Sequence, residues 1–110
     1  MKGSLPKGAS FERAFRQGKV LYHPFIRLHY LEKEESEVSQ VGFVVGRHFG
    51  KAARRNRMKR LLREAWRKAA KPEHKFDFVV AARGPAAQAS VQDLRLAVED
   101  LLNRVESRRQ

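Results

Sequence analysis

Apolar residues recur at helical spacing through the middle of the chain. Between residues 52 and 71 they fall at i, i+3, i+4, i+7 and i+11, a spacing that gathers them on one face: Met58, Leu61, Leu62, Ala65 and Ala69. Pro72 ends this pattern, because proline does not continue a helix. The spacing predicts a helix over residues 52–71 whose apolar face packs against a sheet or another helix.

A shorter helical pattern stands near the start of the chain. Phe11, Ala14 and Phe15 share one face, with Ser10 as a suitable N-cap and Gly18 as a suitable end. The two phenylalanines lie four residues apart and are therefore neighbours on the helix surface. Taken alone, they fit a helix pinned to the core. The alternative is an aromatic platform for unpaired bases.

The last helix is predicted to begin at Ser90, because Ser90 and Asp93 form the pattern of a capping box. Its apolar stripe consists of Leu94, Val98, Leu101, Leu102 and Val105. We expect this helix to fray from Glu106 onward.

Alternating and continuous apolar runs predict the strands. In residues 25–31 one side carries Ile26, Leu28 and Tyr30, and the other carries Phe25, Arg27 and His29. Residues 41–46 and 76–82 are more continuously apolar, as in buried strands. Residues 19–23 form a short run that Pro24 ends, as in an edge strand. We interpret the acidic segment 32–40 as a hairpin loop between two strands.

These elements follow one another in the order α-β-β-β-α-β-α. A strand, the long helix and a further strand over residues 41–82 predict a parallel pair joined by that helix. The fold class is therefore α/β, a two-layer sandwich with a mixed sheet. A length of 110 residues predicts one domain over residues 1–110, with residues 1–8 and 107–110 loose.

Positive charge is concentrated in the long helix and the turn before it. Residues 47–71 contain eleven lysines and arginines and one acid, Glu64, whereas the whole chain has a net charge of +12. Arginine dominates this segment, and its guanidinium fork suits phosphate groups. A solvated outer face is the alternative, but such a face does not need so many unpaired cations. The distribution points to nucleic acid as the partner.

The cations form a second helical stripe beside the apolar one: Asn56, Lys59, Arg60, Arg63 and Arg67. Like charges four residues apart cost roughly 0.2–0.5 kcal/mol per pair. Glu64 lies four residues from both Arg60 and Lys68, and we expect it to relieve only part of this cost. The basic turn over residues 47–51 contains Gly50 and can present backbone N–H groups to a phosphate. A bound polyanion would account for the whole pattern.

Catalytic and metal-binding patterns are absent from the sequence. There are no cysteines, the four histidines lack metal-ligand spacing, and eight of the twelve acids lie in segment 32–37 or from residue 93 onward. We therefore expect no catalytic residue and no metal ion bound by the chain alone. No apolar run is long enough for a membrane span, and we expect a cytoplasmic protein.

The middle of the sequence closely resembles the signature of the bacterial ribonuclease P protein family, in VGFVVGRHFGKA at residues 41–52 and RNRMKRLLREAWR at residues 55–67. Phe11, Phe15 and Gly18 match the same family, as do the strand FDFVVAAR at residues 76–83 and the Pro-Ala-Ala that follows. The resemblance extends from about residue 10 to residue 105. Its most specific part is the Arg-Asn-Arg core with the basic residues after it.

The resemblance implies a fold and a function. Proteins of this family form a small α/β sandwich with a left-handed β-α-β crossover, opposite to the general rule. They assist a catalytic RNA, and the holoenzyme hydrolyses precursor tRNA to leave the mature 5′ end. Magnesium at the RNA does the chemistry. The implied partners are ribonuclease P RNA and precursor tRNA.

The resemblance also implies residue roles. The residues expected at the catalytic RNA are Arg47, His48, Lys51, Arg54, Arg55, Asn56, Arg57, Arg60 and Arg67. Those expected in a cleft for the single-stranded 5′ leader are Phe11, Phe15, His29, Lys59 and Arg63. An aromatic residue after Pro24 usually completes this cleft. Alternation favours His29 for that place, and Tyr30 is the alternative.

Other nucleic-acid and surface binders are the competing interpretations. A ribosomal-protein-like binder would use the same helix on structured RNA, but it would not need exposed rings at residues 11–15. We expect no binding to DNA, because no compact helix-turn-helix partner precedes the basic helix. We expect no membrane binding, because the apolar stripe contains two alanines and no broad aromatic band.

Overall fold

The computed structural model describes residues 9–34 and 38–109 of the 110-residue chain. The helices are α1 (Ala9–Gln17), α2 (Ala52–Lys68) and α3 (Val91–Arg109), and the strands are β1 (Lys19–Tyr22), β2 (Ile26–Glu32), β3 (Gln40–Val44) and β4 (Phe76–Ala82). Short 3-10 turns cover Arg47–Phe49 and Gly84–Gln88. The order confirms the predicted succession of helices and strands. Residues 1–8, predicted to be loose, lie outside the described residues.

The strands form one mixed sheet in the order β1-β2-β4-β3. β2 is antiparallel to both of its neighbours, and β3 is parallel to β4, which confirms the pair joined by the long helix. The prediction that residues 32–40 form a hairpin loop is wrong, because β4 lies between β2 and β3. Every residue of β4 is buried, and a strand covered on both faces belongs at the centre of a sheet.

Helices cover the two faces of the sheet unequally. α2 and α3 pack on one face, where β4 contributes Phe76, Phe78, Val80 and Ala82 to the main core. α1 covers the opposite face, where Ala14 packs with Val44, Val79 and Ala81. The predicted two layers are therefore the sheet and the α2–α3 pair, and α1 adds a partial third layer.

Helix α2 ends at Lys68 instead of continuing to residue 71 as predicted. The ammonium group of Lys71 donates hydrogen bonds to the carbonyl oxygens of Trp66, Arg67 and Ala69, the last at 2.6 Å. Carbonyl groups at a helix end have no partner within the helix, so this side chain acts as the cap. Pro72 also favours an extended backbone at the residue before it.

Helix α3 begins with the predicted capping box. The Ser90 N–H donates to Asp93 Oδ2, and the Asp93 N–H donates to Ser90 Oγ, both at 3.0 Å. The prediction that the helix frays from Glu106 is wrong, because α3 continues to Arg109. Residues 107–110 were predicted to be loose, and of these residue 110 lies outside the described residues. Val105 is fully buried and anchors the last turns. In the described ranges, no helix has the length and apolar character needed to cross a bilayer.

Candidate RNA-binding surface

The two stripes predicted on α2 are both present. Met58, Leu62 and Ala65 are buried in the main core, and Leu61 is half-buried at its margin. The adjoining stripe is exposed apart from a half-buried Lys59, and it contains Asn56, Lys59, Arg60, Arg63 and Arg67. Because the apolar stripe fixes how the helix is rotated on the sheet, it also fixes where the cations point.

The turn before α2 brings charge to the start of the helix. Phe49 is buried and holds this turn to the core, whereas Arg47 and His48 are exposed. Gly50 has a φ of 99°, a conformation that favours glycine. Lys51 occupies the N-cap without a side-chain cap, and the first turn contains no acid. Backbone N–H groups, the positive end of the helix dipole and nearby cations therefore favour an anion here.

A cavity of about 430 Å³ opens between the start of α2 and the Gly84–Gln88 turn. His48, Arg54 and Arg57 contribute basic groups to its lining, and Met58 contributes an apolar part. The cavity thus gathers predicted RNA contacts from the turn and from the helix on one concave surface.

Glu64 neutralises the C-terminal end of the cationic stripe. Its carboxylate lies 2.7 Å from Arg67 Nη2 and 3.4 Å from Lys68 Nζ. The hydrogen bond from Arg67, with a further one from Lys68, lowers the pKa of Glu64. In the described residues Glu64 forms no ion pair with Arg60, because an acid pairs more favourably with a cation placed C-terminal to it on a helix. Arg67 is therefore less available to RNA than Arg60.

Two other arginines of α2 have contacts that bear on RNA binding. Arg55 Nε is buried and has no hydrogen-bond partner among the described residues, which is costly for a donor, while Arg55 as a whole stays partly exposed. The guanidinium carbon of Arg63 lies 5.7 Å from the centre of the Phe43 ring, a cation–π distance. Phe43 belongs to the edge strand β3, so Arg63 is held beside that edge.

An aromatic cluster lies between α1 and the sheet. The ring centres of Phe15 and His29 are 4.6 Å apart, with their planes inclined by 32°, and Phe11 and Phe15 are half-buried. Tyr30 instead is buried on the other face, with its ring centre 6.0 Å from that of Phe76. Alternation along β2 thus brings His29 to the cluster. The partly exposed rings both pack α1 on the sheet and leave surface open to a ligand.

Arg27 and His29 lie on the same side of β2. Arg27 Nε donates a hydrogen bond to His29 Nε2 at 2.8 Å, which requires a neutral imidazole with its proton on Nδ1. Burial lowers the pKa of His29, and the charge of Arg27 lowers it further, to about 4. His29 is therefore an uncharged ring at neutral pH.

The residues predicted for one leader cleft form two groups. Phe11 and Phe15 pack on the α1 side of the sheet with His29, whereas Lys59 and Arg63 belong to α2 on the other side. The edge strand β3 lies at the boundary, with alternate residues directed to the two sides. A strand of RNA that reaches both groups has to pass this edge.

A groove of about 490 Å³ lies on the α1 side, near the ends of β3 and β4. Its basic lining residues are Arg27, Arg47 and His48, and its small ones are Val44, Gly46, Ala81 and Ala82. Arg47 and His48 were predicted at the catalytic RNA, and the structure places them beside this groove as well. Arg27 is not among the predicted site residues, although alternation along β2 places it on the side of His29.

Ligands for a divalent cation are not gathered on these surfaces. In residues 9–34 and 38–109, no group of three histidine or acidic side chains is placed to hold a metal ion. Asp77, an acid within β4, is buried and lies 3.1 Å from Lys33 Nζ.

Comparisons with known proteins agree on one family. The family model Ribonuclease P matches residues 2–106. The ribonuclease P protein component of Symbiobacterium thermophilum is 35% identical over 101 residues, covering 91% of this chain and 88% of that protein. That of Caldanaerobacter subterraneus is 34% identical over 101 residues, covering 91% and 86%. The RNase P protein structure from Thermotoga maritima has a TM-score of 0.74 at 30% identity, covering 87% of this chain and 91% of that chain.

Proposed function

The chain belongs to the ribonuclease P protein family, and from that premise we propose how its surfaces are divided between two RNAs. It is the protein component of a ribonucleoprotein endoribonuclease that acts in tRNA 5′ processing. We assign the cationic side of α2 to ribonuclease P RNA and the α1 side of the sheet to the 5′ leader of precursor tRNA. The observation that carries the proposal is the pairing of one apolar and one cationic stripe on α2.

The surface for ribonuclease P RNA combines the turn before α2 with the cationic stripe. A helix of 17 residues is about 25 Å long, which is enough for several phosphate contacts. In the part of the chain that the structure describes, Glu64 is the one acid paired with a cation of α2. RNA binding at the other cations therefore displaces counterions from the RNA and breaks no ion pair.

The α1 side of the sheet suits an unpaired strand. Phe11, Phe15 and His29 offer ring surfaces, and stacking contributes about 1–3 kcal/mol per base with little dependence on base identity. Such tolerance is needed if one protein serves many leaders. Lys59 and Arg63 would reach the same strand where it passes the edge of β3. The proposed path of the leader thus uses both predicted groups.

Hydrolysis is proposed to take place at the RNA. Magnesium prefers oxygen ligands in octahedral geometry. The α2 surface offers cations, one amide and a single carboxylate, Glu64, which is already paired with Arg67 and Lys68. The residues present therefore do not fit the ion. The chain's own contribution is to bind and orient two RNAs. We propose that magnesium is held by ribonuclease P RNA.

A cytoplasmic location is also part of the proposal. The relatives are bacterial proteins, and bacterial precursor tRNA is made in the cytoplasm. Fractionation of cells that express a tagged chain tests it, with recovery in the membrane fraction as the contrary result.

Cleavage of a precursor tRNA by a bacterial ribonuclease P RNA at low magnesium tests the function directly. We expect the chain to restore cleavage at the 5′ end of the tRNA. RNA binding without any change in cleavage would instead favour a ribosomal-protein-like binder with no part in processing.

Phe15→Ala tests the leader site. We expect weaker binding of precursor tRNA to the reconstituted holoenzyme, by about fivefold or more, with mature tRNA unaffected. Leu96→Ala is the matched control, because Leu96 is an exposed apolar residue on α3. Equal losses for precursor and mature tRNA would make Phe15 a packing residue only.

A further inference from the structure

Arg27 lies at the junction of the aromatic cluster and the groove on the α1 side. Its Nε donates to His29 Nε2 at 2.8 Å, and its side chain lines the groove together with Arg47 and His48. In the sheet it is opposite Tyr22 of β1 and Ala81 of β4, so neighbouring strands fix its backbone on both sides. Arg27 therefore connects a ring that can stack with a basic groove.

The charge of Arg27 is not neutralised by a carboxylate among the described residues. By contrast, Arg67, Arg95 and Arg104 each form an ion pair with an acid on their own helix, at 2.7, 2.9 and 2.8 Å. Arg27 is half-buried, and electrostatic attraction is stronger in such a setting than in open solvent. An anion that enters the groove is therefore attracted to it.

The hydrogen bond to His29 leaves most of the Arg27 guanidinium free for a ligand. Of its five N–H donors the bond uses only Nε–H, and the two terminal nitrogens can bind two oxygens of a phosphate. Because His29 holds the group in place, less side-chain freedom is lost on binding. Lysine could supply the charge but not this fork.

We propose that Arg27 is a leader-binding residue that orients His29 for stacking and binds a backbone phosphate of the leader next to the stacked base. This inference rests on the proposed leader site and extends it into the groove. The leader then runs from the Phe15–His29 rings along a basic wall toward Arg47. The ligand is the phosphate backbone of single-stranded RNA, without preference for a base.

The first test compares Arg27 variants in the reconstituted holoenzyme. We expect Arg27→Ala to lower the affinity for precursor tRNA by about tenfold, with the affinity for mature tRNA within about twofold of wild type. The affinity of the Arg27→Lys holoenzyme for precursor tRNA should lie between that of wild type and that of Arg27→Ala. Arg108→Ala is the matched control, since it removes the same charge from an exposed position on α3.

The second test locates the phosphate. Precursor tRNAs are prepared in which one leader phosphate at a time is replaced by a neutral methylphosphonate. The wild-type holoenzyme should bind more weakly when the methylphosphonate stands at one position near the stacked base. The Arg27→Ala holoenzyme should bind that substrate no more weakly than the unmodified one. A variant with a damaged fold would bind all of these substrates more weakly without erasing the effect at a single position, so folding and contact are distinguished.

The third test concerns the orienting role. If Arg27 holds His29 for stacking, the losses caused by Arg27→Ala and His29→Ala should be less than additive in the double variant. Fully additive losses would overturn the orienting role.

The outcomes separate Arg27 from the leader site as a whole. If Phe15→Ala weakens precursor binding and Arg27→Ala does not, the leader site stands and the inference on Arg27 fails. Equal losses for precursor and mature tRNA with Arg27→Ala also overturn the inference. If neither variant distinguishes precursor from mature tRNA, the leader site itself is wrong.

Discussion

Gly18 lies so close to the backbone of Tyr30 that position 18 has no room for a side chain. A Cβ atom there would overlap the carbonyl oxygen of Tyr30 and lie 2.5 Å from that of Ala14. The Gly18 N–H donates to the Ala14 carbonyl at 3.1 Å. The φ of Gly18 is not positive, so this glycine serves close packing and not a left-handed turn. It fixes the end of α1 to β2, one residue from His29.

Gly18→Ala should therefore destabilise the protein. We expect a loss of about 1–3 kcal/mol, because the added methyl group forces two backbone segments apart, and urea unfolding measures it. Gly84→Ala is the control, since a Cβ at Gly84 meets no atom within 4 Å, and its effect should stay within about 0.5 kcal/mol. Equal stability of the two variants would contradict the close contact.

Lys33 and Asp77 form a buried ion pair at 3.1 Å, with side chains 14% and 4% exposed. Lys33→Met leaves the Asp77 carboxylate without its counterion and should cost about 3–5 kcal/mol in urea unfolding. The double variant Lys33→Met/Asp77→Leu should recover much of that loss, because an apolar pair avoids the desolvation of both charges. A double variant as unstable as the single one would show that the residues act in packing alone.

Acidification should weaken the fold through His29. Its pKa is about 4 in the folded protein against an ordinary value of 6.5, so between these values the unfolded chain binds more protons and stability falls as pH falls. The full pKa shift corresponds to a change of about 3 kcal/mol in the free energy of unfolding. Because the ring is half-exposed, solvent screening reduces the expected change to on the order of 1–2 kcal/mol. Urea unfolding at several pH values should show a smaller loss for His29→Phe than for wild type. Identical pH profiles would contradict the lowered pKa of His29 in the folded protein.

Arg60 should contribute more to binding of ribonuclease P RNA than Arg67. Arg67 is paired with Glu64 at 2.7 Å, whereas in the described residues no acid pairs with Arg60. We expect Arg60→Ala to weaken binding by about tenfold and to reduce the slope of log K against log[salt] by about one. Arg67→Ala should lower the affinity and the salt slope by smaller amounts.

The salt dependence of the wild-type protein tests the electrostatic account of RNA binding. If about six phosphates are contacted, the slope of log K against log[salt] is roughly −4 to −5, and a slope near zero would refute this account.

Features encoded by neighbouring residues were predicted from the sequence alone. The two stripes of α2 follow from residues three and four positions apart, and the capping box of α3 follows from Ser90 and Asp93. The bounds of β4 follow from one apolar run. In each case the pattern and its structural cause lie within a few residues of each other.

Apart from the parallel pairing of β3 and β4, features that depend on distant residues were not predicted. The segment over residues 32–40 looked like a hairpin loop, because nothing within it shows that β4 inserts between β2 and β3. The end of α2 depends on the cap formed by the Lys71 side chain. The position of Pro72 alone predicts a longer helix, because it does not reveal this cap. The residues predicted for the leader cleft divide into two groups because α1 and α2 pack on opposite faces of the sheet. Arg27 was overlooked because its role arises only where its guanidinium meets His29 and the groove.

β4, which follows the basic helix in the chain, is one of the two inner strands of the sheet. Until residues 76–82 have left the ribosome, β2 can pair only with β1, and β3 has no neighbouring strand in this fold. The basic helix is therefore synthesised before the surface that orients it exists. Distant strand pairings form more slowly than local ones. The nascent chain therefore carries the positive charge of α2 before the sheet that orients α2 for specific RNA binding has formed. Specific assembly with ribonuclease P RNA thus has to wait until β4 has been synthesised.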